Sequence, residues 1–145
     1  GGWFNLERPF DPDRFERVVS KRGAAGFTVG MPNFPAVYAI NAALNYIQNV
    51  GVEAIDKHAG LLTRACLDGL KALPIELITP DEPGSLAGII SFVHPQSHRI
   101  WEFLHRRHIH IMEDAGRLRV AIHGYNTQQD IEQFLTAMKD ACNHA

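Results

Sequence analysis

Gly116 to Asp130 reads Gly-Arg-Leu-Arg-Val-Ala-Ile-His-Gly-Tyr-Asn-Thr-Gln-Gln-Asp, and its first half alternates. Leu118, Val120 and Ile122 fall on one side; Arg119, Ala121 and His123 fall on the other. That period of two predicts a half-buried strand. Gly124 breaks it, and Tyr125-Asn126 form the expected turn. Thr127 with Asp130 three residues later has the spacing of a capping box, so a helix is expected from there. Arg119 and His123 thus share a strand face beside a helix N-terminus. Spacing alone leaves two readings of Arg119. It is a solvated charge on an open sheet, or a planar fork of donors for a carboxylate or phosphate.

Arg119, Tyr125-Asn126-Thr127 and Asp130-Ile131 resemble the ending of class V aminotransferases. These pyridoxal-phosphate enzymes include cysteine desulfurases, selenocysteine lyases, kynureninase and the isopenicillin N epimerase group. Their ending reads Arg-x-Ser-x-His-x-Tyr-Asn-Thr, then an acidic residue and Ile or Val; Ala121 stands where Ser is common. The resemblance implies that Arg119 grips the α-carboxylate of an amino-acid substrate, with His123 beside it. It also implies pyridoxal phosphate as the cofactor of the full-length enzyme, with none expected on this segment alone. A homodimer is implied for the full-length enzyme.

Upstream, Phe27 to Asn33 reads as a turn entering a helix, with Asn33 as N-cap and Pro35 in the first turn. Class V enzymes carry a Gly-Thr-Pro-like motif here, whose threonine reaches the cofactor phosphate across the dimer interface. Gly30-Met31-Pro32 resembles that frame, but a thioether donates no hydrogen bond. Thr28 substitutes, or the contact is weakened. Thr28 and Gly30 are therefore the cofactor-binding candidates by resemblance.

The remaining elements follow from periodicity. Asp13 to Ser20 is a candidate short helix, and Lys21 to Gly26 a loop. Val37, Ile40, Leu44 and Ile47 mark a helix that Gly51 closes. Val52 to Leu73 carries a second stripe, Ile55, Ala59, Leu62, Cys66, Leu70 and Leu73, with His58 expected half-buried beside it. Ile75–Thr79 and Ser85–Val93 read as strands, the second buried on both faces mid-sheet. The turn Pro80–Gly84 lies between them. A helix to about Arg107, a strand at Ile109–Met112, the turn Glu113–Gly116, the arginine strand and a helix from Gln128 to about Asn143 complete the chain. This order predicts an α+β fold: a small antiparallel or mixed sheet with helices packed on one face. It resembles the C-terminal small domain of fold-type I pyridoxal-phosphate enzymes. Residues 1–33 are expected to be a lead-in that packs on a large N-terminal domain outside this chain, and 34–145 the small domain. The start Gly1-Gly2-Trp3-Phe4 has no methionine, which fits a segment of a longer protein.

Composition narrows the function classes. A net charge of −2 with no long basic run argues against nucleic acid, and no apolar run approaches a membrane span. A cytoplasmic protein is expected. Cys66 and Cys142 form no redox or metal motif, and Cys66 reads as a reduced core residue. His105 and His108 are read as basic residues at a helix C-terminus, with His110 past that end on the next strand; no metal ligands are assigned. Glu113-Asp114 is a turn pair without an evident partner. No catalytic residue is assigned either. Pyridoxal-phosphate chemistry needs a lysine that holds the cofactor, and Lys21, Lys57, Lys71 and Lys139 match no such motif. The segment alone is expected to be inert. Group II desulfurases carry a cysteine just before the arginine strand; Glu113 to Gly116 has none. This favours an aminotransferase, epimerase or other lyase. The alternative from another class is a free-standing α+β amino-acid-binding or regulatory module without catalysis.

Overall fold

Leu118 and Val120 are buried while Arg117, Arg119 and Ala121 are exposed, so the alternation expected of the arginine stretch is the alternation found. The computed structural model describes residues 2–82 and 84–144. Gly1, Pro83 and Ala145 lie outside the described residues, Pro83 within the turn expected at Pro80–Gly84. Backbone contacts divide the chain into two compact units, Gly1–Asn49 and Val50–Ala145. No helix of the described chain is long and apolar enough to cross a membrane.

The second unit contains a four-stranded antiparallel sheet. In chain order it has α2 (Val52–Lys71), β1 (Glu76–Leu77), β2 (Ile89–Val93), α3 (Ser97–His105), β3 (Met112–Asp114), β4 (Arg117–Ala121) and α4 (Gln128–His144). The strands lie in the order β1-β2-β4-β3. Ile90 faces Val120 and Phe92 faces Leu118 across β2 and β4. These four side chains form the sheet's share of a core completed by Cys66, Leu67 and Leu70 of α2, Ile100 and Leu104 of α3, and Phe134 and Met138 of α4. Burying each large aliphatic side chain contributes about 1.5–3 kcal/mol. The opposite sheet face carries Ile89, Ser91, Met112, Arg117 and Arg119, none of them buried. The fold is α+β with helices on one face, as the element order implies.

Several element boundaries differ from expectation, and hydrogen bonds outside the strand ladders account for most of the shifts. β1 is two residues long because Ile78 and Thr79 both donate to the Ser91 carbonyl, while the Thr79 hydroxyl accepts the Ser91 N–H. β2 starts at Ile89. Ser85 is held in a turn, its hydroxyl donating to the Glu82 carbonyl at 2.7 Å. The run also buries one face, not two, since Ile89 is 48% exposed. β3 starts at Met112, because Ile109 donates back to Leu104 and the Trp101 indole donates to the Ile111 carbonyl at 3.1 Å. α3 ends at His105, followed by His108 at φ 59°. β4 stops at Ala121, where the Ile122 N–H donates to the Gly88 carbonyl at 2.6 Å. A Cβ on Gly88 would sit 2.3 Å from the Ile122 oxygen, so only glycine allows this approach.

The first unit has η1, a 3-10 turn at Trp3–Asn5; η2, another at Gly23–Phe27 where a loop was expected; and α1 (Phe34–Val50). No helix forms at Asp13 to Ser20. Glu16 and Arg17 donate to Asp13 in an isolated turn, and the chain then extends so that Glu7 donates to Val19 and Lys21 to Asn5. Asn33 caps α1 as expected, its side-chain oxygen accepting the Ala36 N–H at 3.3 Å. Among the described residues of this unit none is buried. The α1 stripe Val37, Ile40, Leu44 and Ile47 is 36–59% exposed.

The hairpin between β3 and β4 turns through Ala115 (φ 50°) and Gly116 (φ 83°). Positive φ at both central residues is the type I′ pattern, which suits Asn-Gly far better than Ala-Gly. Ala115→Asn is expected to stabilise the fold by about 0.5–1 kcal/mol, read as a higher urea midpoint. No increase would mean that the hairpin is not strained at Ala115. Burial pushes the Cys66 thiol up from 9.0 to about 12. A raised pKa in the folded state holds stability below the unfolded value and loses it above. Unfolding free energy is therefore expected to fall from about pH 9 upward, by up to about 1.4 kcal/mol per pH unit. Cys66→Ala should flatten that slope in pH-dependent urea titrations.

Candidate functional site

Arg119 sits at the centre of β4, with Ser91 of β2 opposite on one side and Met112 of β3 on the other. Ladder bonds on both sides fix its backbone, and the pleat turns its side chain to the face without helices. There it lines an open cavity of about 160 Å³ with Ser91, Met112, Asp114 and Arg117. Arg117 pairs with Asp114 at 3.7 Å. Among the described residues Arg119 has no acidic partner, so its guanidinium is free to take an anion.

His123 lies beyond the strand end and does not line that cavity. Its N–H donates to the Asn126 side-chain oxygen at 2.9 Å, and the Asn126 N–H donates back to the His123 carbonyl at 3.0 Å. The turn is thus closed from both ends, and centres on Gly124-Tyr125 instead of Tyr125-Asn126. The His123 ring stacks on Tyr125 with centroids 5.7 Å apart. The capping box is present. Asp130 donates its N–H to the Thr127 hydroxyl at 3.2 Å, and Thr127 donates its N–H to the Asp130 carboxylate at 2.8 Å. Asp130 also places negative charge at the positive end of α4.

His58 is exposed, not half-buried, and its Nε2 lies 2.8 Å from the Asn126 carbonyl. Nothing local signals this contact, because the partners are 68 residues apart. The neighbours of Arg119 were likewise invisible before the register of β2 and β3 was known. Asn126 did carry a signal: an Asn in a turn can accept the backbone N–H of a residue a few positions before it.

Thr28 and Gly30 belong to the first unit. Thr28 is half-buried in extended backbone, its N–H donating to Ala25. A Cβ built on Gly30 meets nothing within 4 Å, and Met31 is 70% exposed.

The other singled-out groups have structural partners. Lys71 and Arg64 both pair with Asp81, and Lys71 also pairs with Asp68 at 3.3 Å. The Asp81 bond, opposed by some desolvation, holds the Lys71 ammonium above its usual pKa. The Lys71 and Arg64 bonds hold the Asp81 carboxyl below its usual value. Glu113 has a partner after all, accepting from the Ser97 hydroxyl at 3.2 Å, with His98 3.8 Å away. His105 stacks on Trp101 at 5.0 Å and meets His110 edge-on at 4.9 Å. Among the described residues no three His, Cys, Asp or Glu side chains have metal-binding geometry.

The profile of the family described as "Aminotransferase class-V" matches residues 11–134. A "Probable cysteine desulfurase" of Pyrococcus abyssi (strain GE5 / Orsay) is 25% identical over 131 residues, covering 79% of this chain and 32% of its own. The apo structure of a cysteine desulfurase from Thermococcus onnurineus NA1 superposes with a TM-score of 0.78 at 21% identity. It covers all of this chain and 39% of its own. A variant of C-DES with glycine covalently linked to its PLP cofactor superposes with a TM-score of 0.66 at 21% identity, covering 96% and 37%. The chain spans about a third of the length of the curated relative it matches across most of its residues. With a profile match over most of its length and the same α+β arrangement, this chain belongs to the class-V aminotransferase family of pyridoxal-phosphate enzymes.

Proposed function

We propose that this chain is the C-terminal small domain of a pyridoxal-phosphate enzyme acting on an amino acid, and that Arg119 holds the substrate α-carboxylate. The observation that carries the reading is the guanidinium of Arg119, without an acidic partner among the described residues, on a backbone held from both sides of β4. A planar fork matches a carboxylate with two parallel charge-assisted bonds. His123, in the turn closed by Asn126 just past the end of β4, is assigned as a second polar group for the substrate.

The first unit supports the domain assignment. It buries none of its described residues and exposes the apolar stripe of α1, as a segment does whose packing surface lies on another domain. Residues 1–33 are assigned as the lead-in to that domain, with the compact unit itself continuing through α1 to Asn49. Thr28 and Gly30 are assigned to the cofactor phosphate across a homodimer interface. Thr28 can donate a hydroxyl, and the space beside Gly30 is open.

The donor set fits a peripheral role towards the cofactor. Pyridoxal phosphate supplies an electron sink that labilises a bond at Cα, and needs a lysine to anchor it. Lys71 pairs with Asp81 and Asp68, which favours its charged form over the free amine a Schiff base needs. This chain's residues bind and orient the substrate, and the anchoring lysine belongs to the large domain. Neither cysteine suits a desulfurase nucleophile, since burial raises the pKa of both thiols. A transferase, epimerase or lyase route that uses no thiol from this chain follows.

Arg119→Ala in the full-length enzyme is expected to lower kcat/KM for its amino-acid substrate by about 1.5–3 kcal/mol, some ten- to hundredfold. Arg119→Lys should recover only part of the loss, since an ammonium lacks the fork. Unchanged kcat/KM in Arg119→Ala would refute the carboxylate role. For the isolated chain, borohydride treatment with pyridoxal phosphate is expected to trap no stoichiometric adduct; one adduct at a single lysine would overturn the assignment.

A further inference from the structure

We propose that His58 is a positioning residue for the substrate face, acting through Asn126 on the turn that carries His123. This deepens the reading above and rests on it. The two bonds between His123 and Asn126 close the turn upon itself, so they set its shape but not its place. The place is set from α2. His58 Nε2 lies 2.8 Å from the Asn126 carbonyl, and a carbonyl oxygen only accepts, so Nε2 carries the proton. Asn126 precedes the capping residue Thr127, so its carbonyl lies outside the α4 ladder and is free for this donor. Ile55, one helical turn before His58, lies beside the middle of the turn: a Cβ built on Gly124 would be 3.5 Å from its side chain. The backbone N–H, backbone carbonyl and side-chain oxygen of Asn126 are each engaged, two by His123 and one by His58. The turn is therefore tied to α2 by a hydrogen bond at Asn126 with Ile55 beside Gly124, and the His123 ring is carried with it.

The full-length enzyme tests this with four single substitutions and one double variant. His58→Leu removes the donor; His58→Gln places an amide N–H near the position of Nε2. The expected result is a rise in KM for the amino-acid substrate of roughly tenfold in His58→Leu, with kcat changed less. His58→Gln should restore KM to within about threefold. Amide hydrogen exchange across residues 123–127 should quicken in His58→Leu and return in His58→Gln. In a His123→Ala background, His58→Leu should add little further loss, because both act through one group. An unchanged KM in His58→Leu, no rescue by His58→Gln, or full additivity with His123→Ala would each overturn the positioning role. Arg119→Ala judges the underlying reading separately. If it costs activity while His58→Leu does not, the carboxylate site stands and the positioning role falls. If it is silent, the carboxylate site itself falls.

Discussion

Leu118 and Val120 hold the second unit together. Their strand is paired on one side to β2 and on the other to β3, and their side chains enter the core shared by α2, α3 and α4. Because a strand's side chains alternate, burying these two residues turns Arg117, Arg119 and Ala121 outward. A slip of one residue would drive Arg119 into the apolar core, at a cost far above anything the ladder returns. The register that builds the core is the one that presents the guanidinium. Stability and site geometry are set by one decision.

The same strand ends where its backbone meets Gly88, and from there the architecture passes from sheet to helix through six residues. The turn of His123 to Asn126 satisfies its own backbone, leans on α2 through His58, and hands the chain to the Thr127 and Asp130 cap. Each bond is individually modest and mostly exposed. Their effect is to remove freedom from a connection that would otherwise be a mobile loop.

What could be read from sequence was what local physics determines. The alternation of β4, the Asn33 cap and the Thr127–Asp130 box are patterns within a few residues, and all three stand in the structure. Ser85–Val93 looked doubly buried because Leu86 to Ile90 is almost wholly apolar. Apolar character records tendency, not which surface receives the side chain. The end of β1 and the start of β3 fall elsewhere than expected because they depend on bonds to Ser91, Leu104 and Trp101 that no local pattern marks. The lone Gly88 in an apolar run did hint at a close backbone approach. His58 had no such hint. A histidine on a helix says nothing about a carbonyl 68 residues away, and only the fold joins them.

The first unit has an ordered backbone with almost nothing buried. Ordering a residue costs about 1–2 kcal/mol of backbone entropy, and apolar burial is what normally offsets it. Here the offset is small, whereas the second unit carries a full core. The two units therefore differ in cooperativity. Heating this chain by itself would draw nearly all the unfolding enthalpy and heat-capacity change from Val50 onward. The first forty-nine residues would melt gradually, with no transition of their own, until another surface supplies the missing apolar contact.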